Sequence, residues 1–415
     1  MKKRVWIMNH YAGGMYFDRG GRHYNFSKYL KEEGYEPVVF CADSKHGKPE
    51  AFCGVPGLWQ EHIAEEIGVP FVFVRARTYM GNGKQRVLNM IDFYRNVKKA
   101  AKEYARAYGR PDVIYASSVH PLTLLAGIQL AKRYGVKCVC EVRDLWPETI
   151  VEYSSRFTRR HPLVKLLYQG EKWLYKKADR LIFTMEGGGD YIRERGWEKA
   201  VPLSKVYHIN NGVDMDAFDQ NRARSQVDDP DLDNLDLFKV VYAGAVRRIN
   251  NLGLILDAAR AVSDSRIKFL IWGSGDELDA LRERVQAEKI QNVSFKGCIE
   301  KESVPSVISR ADLNLVHWEM SPILRFGVSY NKLFEYLAAG KPIFSTVRSK
   351  YSIVEHYRCG ADTVGFAPED FAAGIQRLST LPPEELARMG ENARKAAEEY
   401  DFRNLTKKLI EVLES

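Results

Sequence analysis

The sequence predicts an α/β protein with two tandem Rossmann-like domains, each built on a doubly wound parallel sheet. Short apolar runs alternate with amphipathic stretches along the chain, which is typical of βαβ units and parallel sheets. This alternating series begins twice, once at the N-terminus and again near residue 238. The length of 415 residues is also enough for two or three domains of ordinary size.

The first series supplies the N-terminal domain. Its predicted strands are 5–8, 37–41, 71–74, 113–116, 136–142 and 180–184, and its predicted helices are 24–33, 87–108, 122–134 and 163–177. Three of these helices are followed by Gly34, Gly109 and Gly135, and glycine is favoured just beyond a helix C-terminus. We place this domain at residues 1–212.

The second series supplies the C-terminal domain, residues 213–396. Its predicted strands are 240–243, 268–272, 293–296, 313–316 and 342–345, and its predicted helices are 252–262, 277–288, 304–309 and 330–339. The Asp-rich stretch 221–236 is predicted to be an exposed loop, in which Asp229-Pro230-Asp231 is a solvated linker and not a metal site. Residues 397–415 are expected to form a closing helix able to cross back to the N-terminal domain.

Composition excludes several classes of protein. Hydrophobic residues make up 45% of the chain, which rules out a disordered polypeptide. The first ten residues contain only four consecutive apolar residues, whereas a signal peptide needs about 7–15. No run approaches the roughly 20 apolar residues of a membrane span, and the six cysteines form no CxxC pair. A cytoplasmic protein is therefore expected, and its net charge of +8 suits either an anionic partner or a generic solvated surface.

Four glycine-containing loops are predicted at the carboxyl ends of strands, where open α/β sheets bind their ligands. Loop one (9–22) carries Gly20-Gly21 before a helix, and loop two (244–251) carries Gly244 followed by Arg247-Arg248. Glycine lets a ligand approach the backbone, and arginines can clamp phosphate oxygens. The alternative interpretations are a flexible loop and a solvated arginine pair.

Loops three and four lie further along the second series. Loop three, Gly273-Ser274-Gly275, lacks the third glycine of a dinucleotide fingerprint, so we discount NAD. Loop four (321–339) places Lys332 and Glu335 about one turn apart on a helix that follows Gly327. A lysine there would suit a bound anion, and Glu335 could accept two ribose hydroxyls; a surface ion pair is the alternative.

The stretch 326–343 resembles the donor-binding signature of family-4 glycosyltransferases, and within that family the bacterial O-antigen and capsule type that uses UDP-amino sugars. Supporting similarities are Gly20-Gly21-Arg22, Asp144-Leu145-Trp146-Pro147-Glu148, Asn211-Gly212-Val213-Asp214, Tyr242-Ala243-Gly244, Gly273-Ser274-Gly275 and Val293-Ser294-Phe295-Lys296-Gly297. They cover almost the whole chain, and their order and spacing are more specific than any one of them.

The resemblance implies a GT-B fold in which an acceptor-binding N-terminal domain and a donor-binding C-terminal domain face a cleft. It also implies retention at the anomeric carbon, no cofactor beyond the UDP-sugar co-substrate, and no required metal. The implied catalytic residues are Asp144, His120, Arg247 and Lys332. The implied donor-binding residues are Gly20, Gly21, Gly244, Arg247, Arg248, Gly273, Gly297, Cys298, Ile299, Arg325, Phe326, Gly327, Val328, Ser329, Asn331, Lys332 and Glu335.

Roles follow from the same resemblance. Glu335 would bind the ribose, Lys332 and the two loop-two arginines the diphosphate, and the backbone at 297–299 the uracil. His120 would face the donor sugar, or simply begin a helix. Asp144 would contact the acceptor or act as a helper base; capping of the following turn is the alternative.

The chain departs from the family pattern in two places. Gly327 stands where the family often has Glu, so donor hydroxyls would be bound by the amides of 327–329. Ala245 and Asn250 stand where Arg and Lys are common in loop two, so the arginines are shifted.

The sequence therefore predicts a retaining transferase that moves a HexNAc or deoxy-HexNAc from a UDP-sugar to a saccharide or polyprenyl-diphosphate-linked acceptor in surface-polysaccharide biosynthesis. The alternatives are a GT-B nucleotide-sugar epimerase or phosphorylase, and a non-enzymatic basic binding module; nucleic acid is not expected as a partner. A basic region interleaved with leucines could bind an anionic membrane at the inner face of the plasma membrane, or could turn its apolar side to the core. It contains Arg156, Arg159, Arg160, His161, Lys165, Lys172, Lys176, Lys177 and Arg180.

Overall fold

The structure, a computed structural model, describes residues 2–81, 83–152, 154 and 157–415. The chain divides into two compact units: unit 1 consists of Met1–Asn210 with Phe402–Ser415, and unit 2 of Asn211–Asp401. The boundaries predicted from the sequence are 212/213 and 396/397. The units themselves change at 210/211 and 401/402.

The strands alternate with helices as the apolar runs predict. They are β1 (Arg4–Asn9), β2 (Glu36–Ala42), β3 (Trp59–Ala64), β4 (Val69–Val74), β5 (Val113–Ser118), β6 (Lys137–Val142), β7 (Arg180–Phe183), β8 (Val206–His208), β9 (Phe238–Ala243), β10 (Ile267–Trp272), β11 (Val293–Gly297), β12 (Leu313–Val316), β13 (Ile343–Ser345) and β14 (Gly360–Asp362). The first eight belong to unit 1 and the last six to unit 2.

The helices are amphipathic and cover both faces of the sheets. They are α1 (Gly13–Phe17), α2 (Arg22–Glu32), α3 (Lys84–Tyr108), α4 (Pro121–Tyr134), α5 (Glu148–Glu152), α6 (Pro162–Lys177), α7 (Gly188–Glu194), α8 (Met215–Arg224), α9 (Pro230–Asp233), α10 (Gly253–Ala261), α11 (Leu278–Ala287), α12 (Val304–Ile308), α13 (Asn331–Ala339), α14 (Ile353–His356), α15 (Pro368–Ser379), α16 (Pro383–Glu399) and α17 (Phe402–Glu414).

Unit 1 has, over its described residues, an eight-stranded sheet in the order β3-β4-β2-β1-β5-β6-β7-β8. Every pairing is parallel except that of β3 with β4. The core strand β1 is buried from Val5 to Met8. The C-terminal helix α17 packs on α2, where the rings of Phe26 and Phe402 lie 5.5 Å apart.

Unit 2, all of whose residues are described, has a six-stranded parallel sheet in the order β11-β10-β9-β12-β13-β14. Alternate residues of β9 belong to two different core clusters: Val241 and Ala243 to one, Val240 and Tyr242 to the other. Side chains of a strand alternate between the faces of the sheet, so both faces are covered by helices. This is the doubly wound arrangement that the sequence predicts.

Most residues of 221–236 are exposed as predicted, but the prediction that this stretch is a loop is wrong. Helices α8 and α9 occupy much of it, and Leu232 is buried. Asp229 and Asp231 both bind Lys296 Nζ, and Asp231 also binds Lys268. Lysines on β10 and β11 thus neutralise the Asp-Pro-Asp carboxylates, which are predicted from the sequence to be solvated.

Candidate functional site

Loops two and three of unit 2 cross with their backbones in direct contact. A Cβ atom on Gly273 would lie 1.8 Å from the carbonyl oxygen of Gly244, and one on Gly275 would lie 1.9 Å from that of Val246. The amide of Val246 donates to Ser274 O at 2.9 Å. The close crossing of the two loops therefore requires glycine at 273 and 275. This explains why loop three has two glycines although it lacks the full dinucleotide-binding motif.

Lys332 lies directly beside Gly244. Its Nζ donates a 2.8 Å hydrogen bond to the hydroxyl of Tyr242, and a Cβ on Gly244 would come within 2.8 Å of the same Nζ. Burial lowers the pKa of Lys332 to about 8, although the charge of Glu335 raises it. The ammonium group thus lies against the backbone of Gly244. Because burial disfavours the charged form of Lys332, a bound anion would stabilise it.

Glu335 lies one turn further into α13 and is half-buried. Burial raises the pKa of its carboxyl, while Lys301 and Lys332 lower it. Within unit 2 this carboxylate has no ion pair, so the surface-pair alternative of the sequence analysis does not describe it. An acceptor group without a protein partner is what two vicinal ribose hydroxyls would require.

Arg247 and Arg248 lie in loop two, and both are exposed. His317, buried at the end of β12, contacts Asn251 O at 3.1 Å through Nε2 and Thr346 Oγ1 at 2.8 Å through Nδ1. Since a carbonyl oxygen only accepts, Nε2 carries the proton and Nδ1 accepts from the threonine. Loop two is therefore fixed at its far end while its arginines stay open to solvent.

Loop four turns at Gly327, whose φ of 95° favours glycine, and then enters α13. Two predicted donor-binding side chains there contact the start of unit 2: Asn211 donates from its amide to Ser329 Oγ at 3.2 Å and from Nδ2 to Asn331 Oδ1 at 3.0 Å. Both side chains accept from Asn211, so the Ser329 hydroxyl proton and the Asn331 Nδ2 group stay available as donors.

The remaining predicted donor residues of unit 2 lie at the end of β11 and in loop four. Gly297 ends β11 with a φ of 81°, and Cys298 is exposed beyond it with Ile299 half-buried. In loop four, the guanidinium of Arg325 stacks 4.2 Å over the buried ring of Phe326, and Val328 packs on the core.

In unit 1, Gly20 and Gly21 come directly before α2. Gly21 has a φ of 93° and precedes the first helical residue, Arg22. Arg22 turns inward: it binds Glu141 and donates to the carbonyls of Ile209 and Asn210 at 2.8 and 2.5 Å. The glycines remain available to a ligand, whereas the arginine is structural.

His120 and Asp144 also lie in unit 1, after β5 and β6. His120 is buried, and its Nε2 is 2.9 Å from Nδ1 of His10. Asp144 is exposed to solvent. The structure thus places both at the carboxyl edge of the sheet.

Tyr242, His10 and the structural Arg22–Glu141 pair lie at or behind the predicted site residues and were not predicted from the sequence. Each lies in or next to a buried strand, where a polar side chain among apolar residues was the available signal. Among the described residues, no three His, Cys, Asp or Glu side chains gather into a possible metal site.

Two family models match the chain. "Glycosyltransferase Family 4" matches residues 22–217 and "Glycosyl transferases group 1" matches residues 226–396. Together they take in most of both units, with loops two, three and four. The fold is GT-B, and the chain belongs to the family-4 glycosyltransferases, which confirms the family predicted from the 326–343 signature.

Individual relatives are distant. The chain is 23% identical over 244 residues to the "Putative teichuronic acid biosynthesis glycosyltransferase TuaH" of Bacillus subtilis, covering 58% of this chain and 58% of that protein. The matching region thus spans less than two thirds of that relative's length.

Solved structures resemble the whole chain. Sucrose-phosphate synthase from Thermosynechococcus elongatus is 17% identical with a TM-score of 0.73, covering 100% of this chain and 98% of the other. Anabaena HepE in complex with UDP is 15% identical with a TM-score of 0.66, covering 100% of both. At these identities the likeness shows the fold.

Proposed function

We propose that this protein is a retaining glycosyltransferase that moves a sugar from a UDP-sugar to a saccharide or lipid-linked acceptor during surface-polysaccharide synthesis. The observation that carries the proposal is the placement of Lys332 Nζ against the bare backbone of Gly244, with Glu335 one turn away. A cation beside an open backbone suits a diphosphate, and an unpaired carboxylate suits a ribose. Complexes of HepE with UDP and with UDP-glucose support a nucleotide-sugar donor.

The proposed chemistry is electrostatic. As the bond between the anomeric carbon and the diphosphate breaks, negative charge develops on the leaving oxygen. Lys332, Arg247 and Arg248 would stabilise that charge, so the transfer would not require a divalent cation or another cofactor. Lys332 is preorganised by its bond to Tyr242, whereas the two exposed arginines are free to move towards the phosphates.

Retention requires the acceptor oxygen to attack the face from which the diphosphate departs. The departing phosphate oxygen can take the acceptor proton as the new glycosidic bond forms, which leaves UDP as the product. His120 and Asp144 would then contact the donor sugar and the acceptor, without the need for a dedicated protein base. The loop-four amides at 327–329 would bind the hydroxyls of a HexNAc or deoxy-HexNAc donor.

The test is a screen of UDP-sugars for binding and for turnover. Isothermal titration with UDP, followed by mass spectrometry of each UDP-sugar with the protein and EDTA, should show micromolar UDP binding and sugar transfer or slow donor hydrolysis. Absence of UDP binding would overturn the proposal. Interconversion of two UDP-sugars without hydrolysis would favour the epimerase alternative, and activity lost in EDTA would refute metal independence.

A lipid-linked acceptor is supported by the outer face of α6. Leu163, Leu166 and Trp173 are exposed by 47, 68 and 43%, although Val164 and Leu174 on the same helix are buried. Lys165, Lys176 and Lys177 are exposed on the same helix. An amphipathic helix with exposed apolar side chains beside lysines suits an anionic leaflet, at about 1 kcal/mol per basic residue. Arg156, which belongs to the predicted basic region, lies outside the described residues.

Flotation with liposomes measures this association. No helix among the described residues has the length and apolarity to cross a bilayer, so binding through α6 would be peripheral. Vesicles with 30% anionic lipid should carry the wild type upwards, and a Leu166→Ser, Trp173→Ser variant should stay below. Lys176→Gln with Lys177→Gln should weaken flotation, while the control pair Lys99→Gln with Lys132→Gln, also exposed, should not. Equal flotation of all variants would refute the role of α6.

A further inference from the structure

The motif Asp144-Leu145-Trp146-Pro147-Glu148 ends in a glutamate that takes no part in the proposed transfer. Glu148 is the first residue of α5 and is only 2% exposed. Burial of a carboxylate is costly unless the group is paired and hydrogen-bonded. The partners of Glu148 therefore indicate which parts of unit 1 hold this end of the motif in place.

Both oxygens of the Glu148 carboxylate are bound. Arg159, which precedes α6, donates to Oε1 from Nε at 3.1 Å and also from Nη2. The hydroxyl of Tyr168, on α6, donates to Oε2, and Nη1 of Arg195 lies 4.0 Å from the same oxygen. The guanidinium of Arg195 also stacks 3.6 Å from the centre of the Tyr168 ring. Charge-assisted bonds thus fasten the start of α5 to α6 and to the segment after α7.

Short local hydrogen bonds make the start of α5 a single unit. The amide and the hydroxyl of Thr149 both donate to Leu145 O, at 2.8 and 2.6 Å. The amides of Ile150 and Val151 donate to Pro147 O at 2.9 and 3.2 Å. Because α5 has only five residues, it is too short to be stable by itself, and tertiary contacts must fix where it lies. The burial of Leu145 is one such contact, and the carboxylate bonds are another.

Asp144 directly precedes this turn and has no such anchor of its own. Its side chain is exposed, and its carboxylate has no hydrogen bond to any described residue, so the capping alternative does not describe it. The position of Asp144 therefore follows that of the turn. A group that contacts a reacting substrate loses much of its effect when it is displaced by about 1 Å.

We propose that Glu148 is a positioning residue for Asp144. By fastening the turn at 145–149 to α6, Glu148 keeps the Asp144 carboxylate at the carboxyl edge of the unit 1 sheet, ready for a hydroxyl of the acceptor. The fastening itself follows from the contacts of Glu148. The meeting of Asp144 with an acceptor rests on the proposed function.

Amide hydrogen exchange of the intact protein tests the fastening directly. Glu148→Gln keeps the shape of the side chain but removes its charge, so the turn should be held more weakly. The amides of Thr149, Ile150 and Val151 should then exchange at least about tenfold faster than in the wild type, while those of β6 keep their rates. Equal exchange in this variant and the wild type would overturn the proposal.

Tyr168→Phe is a milder second variant, because it removes only one hydroxyl from the carboxylate. It should speed the exchange of the same amides by a smaller factor. Tyr94→Phe is the matched control, since the hydroxyl of Tyr94 donates to Gln129 Oε1 on the surface, at 3.0 Å, and should leave these amides unchanged. If Glu148→Gln does not fold, Tyr168→Phe decides the matter: exchange no faster than in the control would overturn the proposal.

Kinetics separates positioning from stability. With the UDP-sugar that the screen above identifies and methyl glycosides as acceptor probes, transfer to the glycoside competes with hydrolysis by water. Glu148→Gln should lower the ratio of transfer to hydrolysis at least about tenfold, while the Kd of UDP stays within about twofold. Asp144→Asn should lower the same ratio. The double variant should be no worse than Asp144→Asn alone, because Glu148 acts through Asp144.

Two kinetic outcomes would overturn the positioning role: losses that add in the double variant, or an equal fall of transfer and hydrolysis in Glu148→Gln. A wild type that binds no UDP and transfers no sugar would instead count against the proposed function. The exchange rates of the α5 amides would then decide, by themselves, whether Glu148 holds the turn.

Discussion

The ammonium group of Lys332 donates a 2.8 Å hydrogen bond to the phenolic oxygen of Tyr242 and lies 4.0 Å from the centre of that ring. Tyr242 in turn donates to the carbonyl oxygen of Ala245 at 2.9 Å. Tyr242, on β9, thus holds the ammonium group of Lys332, on α13, beside loop two. Burial around this pair holds the pKa of Lys332 at about 8, in the range where activity is commonly measured.

The first prediction is a pH dependence of UDP binding. Below pH 8 Lys332 is mostly protonated and can bind a diphosphate. Above pH 8 Lys332 is mostly neutral, so UDP binding must be coupled to uptake of a proton by Lys332. UDP affinity should therefore be flat from pH 7 to near 8 and then fall by up to about tenfold per pH unit. Titration calorimetry from pH 7 to 9.5 measures it. Lys332→Arg, which stays charged, should lose this dependence, and an equal slope in both proteins would contradict the assignment.

The second prediction concerns Glu335. Its half-buried carboxylate has no ion pair within unit 2, so Glu335→Ala should weaken UDP binding by about 1.5–3 kcal/mol, the range of hydrogen bonds to a charged group. A 2′,3′-dideoxy analogue of UDP should lose a similar amount with the wild type and little more with the variant. If the loss of affinity from the substitution and the loss from the analogue add together, Glu335 does not contact the ribose.

The alternating apolar pattern predicts two doubly wound parallel sheets and most of their strands. Strand β3, with the polar sequence WQEHIA, was missed because it is an edge strand that pairs antiparallel and buries little more than Ala64. Strands β8 and β14 have only three residues each, too few to show any period.

The candidate site was predicted in part. Lys332 and Glu335 were found because a helical spacing puts both on one side, but the orientation of Tyr242 towards Lys332 depends on how α13 packs against β9. The role of Arg22 was likewise invisible, because its partner Glu141 is 119 residues away and the pair forms only when β6 and α2 come together. Long-range pairing of polar groups has no local signal.

The third prediction tests the loop crossing in unit 2. In Gly273→Ala the new methyl group would lie 1.8 Å from Gly244 O, at a φ of 144° that side chains rarely adopt. We expect a loss of at least about 3 kcal/mol in unfolding free energy, or loss of UDP binding if the loop shifts instead. Gly253→Ala, whose closest neighbour would be 3.4 Å away, is the control and should change neither. Wild-type stability and binding in Gly273→Ala would rule out the crossing.

The fourth prediction concerns the buried pair of Arg22 and Glu141. Both side chains are at most 2% exposed, and Tyr115 and Ser117 also donate to the carboxylate. Burial alone would raise the pKa of Glu141, but Arg22 and His23 outweigh it and hold the pKa well below its ordinary value of 4.5. Arg22→Met should leave this carboxylate unpaired and cost about 3–5 kcal/mol in unfolding free energy.

Denaturant titrations at several pH values measure that contribution. Because the folded-state pKa is depressed, the stabilisation by Glu141 is complete above about pH 4.5 and is lost as the pH falls below it. The stability difference between wild type and Glu141→Gln should therefore be constant near neutrality and shrink in acid. Arg193→Met is the matched control, since its partner Asp190 is on the surface and such pairs contribute about 1 kcal/mol at most. A cost in Arg22→Met no larger than in this control would show that the pair does not stabilise unit 1.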